Sequence, residues 1–470
     1  MLVPIRKLPN ELLTRIFVLS SSVDEAEDDA AVKTLTFPRR KDHATAFMSA
    51  PGLRIASTCL LWSTIAFAEP ILWSNITIRF DSLYNLNFIG RPEEVVETWL
   101  GRSKSMPLTI RAHLWGPSND PSALFPLSSD SRRHLSAILM ALLRESRRWL
   151  CVALAIDDPE ANSLAKGHMK FSFPRLKNLT LAFDTEHAFD GDWLILFADF
   201  FRSAPLHHLT IPNIPDRSYW FNGSDQPMFN LSRVTSLTVD YLQDEPFNVL
   251  ENFPVLTHLR ILRYKGSRHL LIPFGPPPAQ AASVHLNNLS HLDLGIGRPR
   301  SVRRLDTFHL RIFSFLRVPR LESLSLSLHE QEYKEYLVPT VVQWSQAAFQ
   351  TMLSSSSFSL RSLSFSGISI STNDLLKVLR GTPDLESLSF DYGRAIRDGQ
   401  TIPDPRNLVK ICHPTRLELQ SLAHLSLSYP DYDLDDDLLG AYMRRSRVSN
   451  GSINQYSRPR IVARSCRRLK

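Results

Sequence analysis

The chain has 470 residues, of which 43% are apolar and 21% are charged, so it is long enough for several hydrophobic cores and is not disordered overall. Its formal net charge of +7 is local. Residues 443–470 hold nine basic and no acidic residues, which leaves 45 basic against 47 acidic residues elsewhere. Because the body is nearly neutral, the composition does not favour a nucleic-acid-binding domain.

Cysteine spacing and hydropathy restrict the class of protein further. The cysteines Cys59, Cys151, Cys412 and Cys466 are far apart and form no CxxC pair, so we expect neither a disulfide framework nor a usual structural zinc site. The N-terminus lacks a signal-peptide pattern, and no apolar run approaches the roughly 20 residues that a membrane helix needs. The sequence therefore predicts a cytoplasmic or nuclear protein without a membrane partner.

The N-terminal segment LPNELLTRIFVLS has the pattern of a short helix. Pro9 suits a first turn, where its missing N–H has no intrahelical partner to lose. An acidic run at residues 24–29 then predicts a solvated loop that continues to about residue 44. The apolar residues of the helix recur at helical spacing and predict one wide apolar stripe, formed by Leu8, Leu12, Leu13, Ile16 and Phe17.

A second helical stretch is predicted over residues 44–69. Pro51 and Gly52 break this stretch and Pro70 ends it, because proline interrupts helical hydrogen bonding. Beyond it, Ile76 and Ile78 alternate with polar residues, which predicts a strand.

The most informative feature of the body is a repeated hexad of the form apolar–x–x–apolar–x–apolar. In a strand its fourth and sixth residues point to one face, while polar residues such as Thr180, Ser325, Ser364 and Ser389 point to the other. The clear copies are LKNLTL from Leu176, LHHLTI from Leu206, VTSLTV from Val234, LTHLRI from Leu256, LSHLDL from Leu289, LESLSL from Leu321, LRSLSF from Leu360, LESLSF from Leu385 and LAHLSL from Leu422, with fainter ones near Leu108 and Val152.

Helix-like segments and proline connectors separate the hexads. Seven segments have apolar residues at helical spacing: EEVVETWL, SRRHLSAILMALLRES, DWLILFADFFRS, EPFNVLENF, LDTFHLRIFSFL, VVQWSQAAFQTML and NDLLKVLRG. A proline often precedes the hexad, where it stops the helix and sets an extended approach to the strand. Because a short strand cannot bury its apolar face alone, stacked units predict a parallel ladder with leucines inside and helices outside.

These hexads resemble the core of the leucine-rich repeat, over about residues 73–429 and most strongly from Phe173 onward. The resemblance implies an α/β fold in which an irregular solenoid has parallel strands inside and helices outside. Regular repeats carry Asn or Cys three residues past the last apolar position, and this chain departs from that pattern, so we expect an irregular arc. The residues at that position are Asp184, Ile214, Leu242, Tyr264, Gly297, His329, Ile368, Gly393 and Pro430.

LPNELLTRIF followed by CLLWSTIAFAEPILWSNI resembles the F-box domain of fungal proteins with divergent leucine-rich repeats. In that family the domain docks on the Skp-type linker subunit of a cullin–RING ubiquitin ligase, and the repeats capture a protein substrate. Residues 20–50 form an insertion that a compact F-box does not need, and such an insertion could weaken or regulate docking. The resemblance implies linker-subunit contacts by Leu8, Pro9, Leu12, Leu13, Ile16, Phe17, Leu60, Trp62, Pro70 and Trp73.

The resemblance also implies three segments and a function. Residues 1–78 are predicted to be an F-box-like helical domain with the inserted loop 20–50, residues 79–442 a divergent leucine-rich-repeat domain, and residues 443–470 a basic, flexible tail. The implied function is a substrate-recognition adaptor of a Skp–cullin–F-box type ubiquitin ligase, with a substrate that the sequence does not identify. The alternative is an interaction scaffold without a ligase, in which the N-terminal helices cap the first repeats.

Motifs for catalysis are incomplete. Tyr333 stands where a zinc-protease motif beginning at His329 needs its second histidine, and the glycine run from Gly295 lacks the third glycine of a dinucleotide loop. We therefore expect no enzyme activity, no cofactor and no metal. The arginine-rich tail predicts a solvated terminus, with a nuclear-import or polyanion-binding patch as the alternative, and Tyr456 is its one aromatic residue for base stacking.

Overall fold

The structure is a computed structural model of the chain. The chain forms two compact units, Met1–Val234 and Thr235–Lys470. The structure describes residues 8–20, 46–80, 91–114, 129–156, 171–183, 203–213, 231–242, 246–264, 283–297, 313, 316–329, 342–344, 346–391, 421–429 and 460–465. The predicted acidic loop at 24–29 and most of the inserted loop lie outside these residues.

The first unit begins with short helices. Helix α1 covers residues 10–20, α2 covers Pro51–Ala56 and α3 covers Leu60–Ala68, and a 3₁₀ helix follows at Pro70–Trp73. Pro51 and Pro70 each lie at the start of their helix, where the missing N–H leaves no bond unmade.

The expected helix is wrong for residues 46–49, because Ala46–Ser49 form strand β1. It pairs antiparallel with strand β2, Asn75–Phe80. The physical reason lies in Pro51: the residue before a proline is kept from helical geometry, and Ala50 is extended at φ −130°, ψ 139°. The end of the predicted inserted loop is therefore part of a sheet.

The sheet of the first unit continues in parallel from β2. Its further strands in order are β3 Leu108–Leu114, β4 Trp149–Ile156, β5 Asn178–Phe183 and β6 His208–Asn213. One buried residue from each parallel strand lies in register with the next, and these residues are Ile76, Ile110, Val152, Leu179 and Leu209. The hexads predicted faintly at Leu108 and Val152 are therefore strands of the same ladder.

Two helices lie between these strands in the sequence, as predicted. Helix α4, Pro92–Arg102, precedes β3, and helix α5, Ser129–Arg144, precedes β4, with a short 3₁₀ turn at Ser146–Arg148. The two helices pack on each other, and His134 Nδ1 lies 2.7 Å from Glu93 Oε2 between them. The buried face of α5 has the predicted helical spacing and consists of Leu135, Ile138, Leu139, Ala141, Leu142 and Leu143.

The second unit is also built on parallel strands, which confirms the α/β class. Its strands are β7 Ser236–Leu242, β8 His258–Tyr264, β9 Val284–His285, β10 His291–Gly297, β11 Leu316–Arg317, β12 Ser323–His329, β13 Val342–Gln343, β14 Ser362–Ser366, β15 Ile368–Ser369, β16 Ser387–Asp391, β17 His424–Tyr429 and β18 Arg460–Ser465. Strand β9 pairs with β11, and strand β13 pairs with β15. The remaining strands lie side by side in the order β7, β8, β10, β12, β14, β16, β17 and β18.

Helices α6, Gln346–Ser356, and α7, Thr372–Gly381, pack on each other in this unit. At the start of α7 the hydroxyl of Ser371 accepts a hydrogen bond from the backbone N–H of Asp374, an N-cap that stabilises the helix by about 1 kcal/mol. A 3₁₀ helix covers Pro246–Asn252.

The clear hexads form strands in a common register. The central leucine of each hexad faces the central leucine of its neighbour, and each of these side chains is at most 1% exposed. The prediction that the hexad leucines form a buried ladder is confirmed. In the second unit these leucines are Leu237, Leu259, Leu292, Leu324, Leu363, Leu388 and Leu425.

Backbone hydrogen bonds at the second hexad position hold this register. The carbonyl oxygen of Glu322 accepts from the N–H groups of Arg361, at 2.8 Å, and Ser362, at 2.9 Å. The same double acceptance is made in the second unit by the carbonyls of Thr235, Thr257, Ser290, Arg361 and Glu386, and in the first unit by that of Lys177. A turn precedes it: the N–H of Leu385 bonds the carbonyl of Thr382 across Pro383, a residue suited to the second position of a β-turn.

One part of the predicted flexible tail is a strand. Residues Arg460–Ser465 form β18, which pairs in parallel with β17 and places Ile461 in register with Leu425. RIVARS alternates in the same way as the hexads although it is rich in arginine, which suits it to this pairing. The other residues of the tail lie outside the described part of the chain.

Gly295 tests the packing of the second sheet. It lies at an irregularity between β8 and β10, and a Cβ atom there would collide with the carbonyl oxygen of Leu262. We expect Gly295→Ala to lower the free energy of unfolding by about 1–3 kcal/mol. The control is Gly101→Ala in α4, where a Cβ meets nothing within 4 Å and replacement should add about 0.5–1 kcal/mol. Urea unfolding of both variants checks the prediction, and a Gly295→Ala variant as stable as the unaltered chain would contradict it.

Candidate functional site: an apolar surface and a serine face

Helix α1 packs through one of two apolar faces. Leu13 is fully buried and Phe17 is 3% exposed, and the Phe17 ring lies 4.8 Å from the ring of Trp62, centroid to centroid. Trp73 is also fully buried, and its indole N–H donates to the carbonyl of Ala66 at 2.7 Å. These contacts hold α1 and α3 in the first unit.

The other apolar face of α1 points to solvent. Leu12 is 48% exposed, Ile16 is 42% exposed and Leu19 is 59% exposed, and Leu8 just before the helix is 36% exposed. Their spacing of four, four and three residues places them on one stripe. The wide stripe predicted from the sequence is thus two faces, because Leu13 and Phe17 lie about 100° around the helix from Leu12 and Ile16.

Exposed apolar side chains are concentrated near the N-terminus. Among the described residues, nine of the ten large apolar side chains with high exposure lie between residues 8 and 71, and the tenth is Val255. Such a concentration makes this segment a candidate interaction site, since large exposed apolar patches are rare on protein surfaces. We call these nine the N-terminal apolar surface: Leu8, Leu12, Ile16, Leu19, Leu53, Leu60, Leu61, Phe67 and Ile71.

Arg102 fixes one side of this surface. Its guanidinium carbon lies 4.3 Å from the ring centre of Phe67 and 4.5 Å from that of Trp73, and the two rings stack at 5.7 Å. A guanidinium over two aromatic faces contributes on the order of 1 kcal/mol per contact. The last turn of α4 is therefore attached to the segment that presents the N-terminal apolar surface.

The residues predicted to contact a linker subunit divide by exposure. Leu8, Pro9, Leu12, Ile16 and Leu60 are exposed, and Leu60 is the most exposed at 85%. Trp62 and Pro70 are half-buried. Leu13, Phe17 and Trp73 are buried. Sequence analysis missed Leu19, Leu53, Leu61, Phe67 and Ile71, although Leu19 continues the spacing of the outer stripe.

A second candidate surface is the solvent face of strands β12, β14, β16 and β17. Serines occupy this face in three rows that run across the strands in register, and each of them is half-exposed. Within the described residues no hydrogen bond engages their hydroxyls, except that Ser325 bonds Asp293. We call the set the serine face: Ser323, Ser325, Ser327, Ser362, Ser364, Ser366, Ser387, Ser389, Ser426 and Ser428.

Two stacked histidines lie beside the serine face. His258 and His291 face each other in register, with ring centroids 4.2 Å apart and planes 12° from parallel. The Ser290 hydroxyl donates to the carbonyl of Thr257 at 3.0 Å and therefore accepts from His291 Nδ1 at 2.8 Å. The hydroxyl of Thr257 makes the matching contact with His258 at 2.8 Å. Each ring therefore faces a neighbouring hydroxyl through its Nδ1 atom.

An ion pair follows the histidines along the same two strands. Arg260 Nε lies 3.1 Å from Asp293 Oδ2. Burial raises the pKa of the Asp293 carboxyl, while the charge of Arg260 and the hydrogen bond from Ser325 lower it to a smaller extent. The pair is electrically neutral when both groups are ionised, so it adds no net charge beside the serine face.

The described residues hold no group of three or more His, Cys, Asp or Glu side chains arranged to bind a metal ion. None of the helices in the described ranges combines the length and the apolar composition that crossing a bilayer requires. The pair Cys412-His413 and the acidic segment 431–437, which are rich in such side chains, lie outside the described residues.

Comparison with known proteins adds no family. No protein-family model matches the chain, and no curated protein matches it significantly.

Two neighbouring leucines test the two faces of α1. Leu13→Ala should lower the free energy of unfolding by about 2–5 kcal/mol, because it empties a buried position. Leu12→Ala removes an exposed side chain and should change it by no more than about 0.5 kcal/mol. Chemical denaturation of the two variants measures the difference. Equal effects of the two substitutions would show that α1 is oriented differently.

Asp293 gives a test by titration. Ser325→Ala removes a hydrogen bond that lowers the pKa of Asp293, so we expect that pKa to rise further above its ordinary value. Because the folded-state pKa is raised, the contribution of Asp293 to stability increases as the pH falls through that pKa. Carboxyl NMR titration measures the change, and Ser364→Ala on the next strand serves as the control that should leave it unaltered. A pKa that falls in Ser325→Ala contradicts the assignment.

Proposed function

We propose that this chain is a substrate-recognition adaptor of a Skp–cullin–F-box type ubiquitin ligase. In this proposal the N-terminal apolar surface docks the Skp-type linker subunit, and the repeated strands capture a protein substrate. The observation that carries the proposal is the outer stripe of α1, Leu8, Leu12, Ile16 and Leu19, which is exposed although it is apolar. The adaptor acts by binding alone in the cytoplasm or nucleus, without catalysis, a cofactor or a metal.

The energetics of the outer stripe support a docking role. Covering apolar surface stabilises a complex by about 25 cal/mol per Å², and a segment of fewer than eighty residues cannot bury all of its own apolar area. The segment 8–20 and 46–80 also carries the residues that resemble the F-box. A partner that covers the N-terminal apolar surface would shield from water most of the large exposed apolar side chains in the described part of the chain.

The repeated strands support the finer fold assignment. Three features recur from one repeat to the next. They are the central leucines in register, the turns at the proline connectors and the carbonyl oxygens that accept two hydrogen bonds. We therefore assign the region from residue 79 to 442 to a divergent leucine-rich-repeat solenoid that follows an F-box-like segment at residues 1–78. Residues 443–470 would then be its basic C-terminal segment.

A second candidate function is an interaction scaffold without a ligase. The observation that favours it is the stacking of Arg102 on Phe67 and Trp73, which joins the N-terminal segment to α4 as a cap would. In this case the N-terminal apolar surface stabilises the strands that follow and binds no linker subunit.

The double variant Leu12→Asp with Ile16→Asp tests the adaptor role. Both side chains are exposed, so the variant should fold, but two carboxylates in an apolar contact should weaken capture of a purified Skp-type linker subunit at least about tenfold. The control is Val255→Asp, which introduces one carboxylate of the same kind at an exposed apolar position of the second unit.

Affinity measured by biolayer interferometry separates the two functions. The adaptor role predicts binding by the unaltered chain and by the Val255→Asp control, and loss in the double variant. If the unaltered chain does not bind the linker subunit, or if the double variant binds it equally well, the adaptor role is rejected.

A further inference from the structure

The connectors that lead into strands β3 to β6 carry an excess of positive charge. They are residues 103–107, 145–148, 171–177 and 203–207. Together they contain five Lys or Arg residues and one acidic residue, Glu145. Four of these cations are exposed, and we call them the basic edge: Lys104, Arg147, Arg175 and Lys177.

Hydrogen bonds between the connectors bring these cations to one edge of the sheet. The side chain of Arg148 crosses from the β4 connector to the β3 connector, where its Nε donates to the carbonyl of Met106 at 3.0 Å. The N–H of Lys177 donates to the carbonyl of Leu150 at 2.9 Å, and the carbonyl of Lys177 accepts from the N–H of His207 at 2.8 Å. The starts of β3, β4, β5 and β6 therefore lie side by side.

The four cations of the basic edge are not neutralised by neighbouring carboxylates. Glu145 Oε2 lies 2.9 Å from Arg148 Nη1, so the one acid of the connectors is already paired with the fifth, half-buried cation. Glu69 precedes the uncharged connector of β2, residues 70–74, and forms no ion pair with the basic edge. Within the described ranges, no acidic side chain lies at ion-pair distance from any of the four.

The corresponding connectors of the second unit lack this excess. Those of β8 and β10, residues 252–257 and 286–290, carry no charge. Arg361 Nη1 lies 3.7 Å from Glu386 Oε1, so this cation is compensated. Because the connectors of the second unit reach their strands without an excess of cations, the fold does not require the charge of the basic edge. The charged residues in the connectors of β12, β14 and β16 are Arg320, Glu322, Arg361, Asp384 and Glu386.

We infer that the basic edge docks an acidic polypeptide segment of a protein partner. The inference deepens the proposed function, on which it rests for taking the occupant to be a protein, and it adds the charge of the segment that the adaptor recognises. Like charges held side by side repel one another, and an anion that bridges them removes this repulsion. The basic edge shares no residue with the N-terminal apolar surface or with the serine face, so it is a separate surface.

The dimensions and side chains of the basic edge favour a polypeptide over a nucleic acid. Adjacent strands are about 4.8 Å apart, so four strands span about 14 Å, which is the length of about four or five residues of extended chain. Side chains on one side of such a chain are about 6.6 Å apart, so two or three carboxylates fit along the edge. Phe171 is half-buried and Phe173 is buried, so the connectors expose no aromatic side chain on which a base could stack.

The test uses the full chain and three fluorescent probes in anisotropy titrations. The first probe is a peptide about ten residues long, roughly twice the span of the edge, in which Glu alternates with Ser. The second replaces every Glu with Gln, and the third is a single-stranded oligonucleotide with the same net charge as the first. Each titration is repeated between about 0.05 and 0.5 M NaCl, a range that shortens the Debye length about threefold.

Charge reversal on equivalent connectors provides the variant and its matched control. Arg175→Glu with Lys177→Glu reverses two charges of the basic edge. Arg320→Glu with Arg361→Glu makes the same change in net charge at exposed positions of the second unit, and both Arg175 and Arg320 directly precede a hexad. Urea unfolding checks that both variants fold, and if the first does not, Arg175→Gln with Lys177→Gln decides the result.

We expect the acidic peptide to bind at least about tenfold more tightly than the Gln peptide and more tightly than the oligonucleotide. Its affinity should fall at least about threefold across the salt range, because exposed charges are screened. Reversal at Arg175 and Lys177 should weaken binding at least about tenfold, their replacement by Gln at least about threefold, and the control pair less than about twofold.

Three results overturn the inference. The first is that the acidic peptide does not bind, or binds no more tightly than the oligonucleotide. The second is that the basic-edge variant and the control lose affinity equally. The third is that the basic-edge variant keeps its affinity, which would assign the peptide to other cations such as the C-terminal arginines of residues 443–470.

Linker-subunit capture on the same preparations keeps the two proposals separate. If the linker subunit is not captured but the acidic peptide binds as expected, the adaptor role falls and the basic edge remains a site for acidic polypeptides. If the linker subunit is captured and the acidic peptide does not bind, only the inference about the basic edge falls.

Discussion

The shared register of the parallel strands is the constraint on which the rest of the structure depends. The carbonyl oxygen at the second hexad position accepts hydrogen bonds from two N–H groups of the next repeat, and this fixes where each strand begins. Because side chains alternate along a strand, a slip of one residue would turn every leucine outward and every serine inward. The buried leucine ladder and the exposed serine face are therefore two consequences of one backbone arrangement.

The two candidate surfaces differ in the physics of recognition. The N-terminal apolar surface exposes apolar area to water, which is unfavourable, so it suits a partner with a complementary apolar groove. The serine face offers hydroxyls whose water must be replaced by equivalent hydrogen bonds, so it contributes selectivity more than affinity. In the proposed adaptor role, the first contact would be common to every complex and the second would distinguish one substrate from another.

The parts of the fold that repeat were predictable from the sequence. Helices α4 and α5 and the hexad strands follow from apolar spacing, because burial of one face determines each of them. Strand β1 was not predictable from apolar spacing, because the proline at position 51 overrides the helical pattern before it. Strand β18 was missed because its arginines dominate the composition although RIVARS alternates correctly.

The candidate sites were predictable only in part. Spacing indicated that Leu12 and Leu13 both belong to apolar stripes, but neighbouring residues on a helix face different directions, and only packing shows which one is buried. The serine face was present in the sequence as a repeated serine at the third and fifth hexad positions and at the position just after the hexad. Its importance depends on register between strands that are 25 or more residues apart, which the sequence of one strand does not contain.

Disulfide trapping of two strands measures the register most directly. Ser364 and Ser389 face each other on β14 and β16, and parallel neighbours about 4.8 Å apart are within reach of a disulfide. Ser362 and Ser389 are diagonal neighbours about 8 Å apart, which is too far for a disulfide. The structure predicts that Ser364→Cys with Ser389→Cys oxidises to a cross-linked peptide pair detectable by mass spectrometry, while Ser362→Cys with Ser389→Cys does not. Cross-linking of the diagonal pair in preference to the facing pair would contradict the shared register and the two surfaces that follow from it.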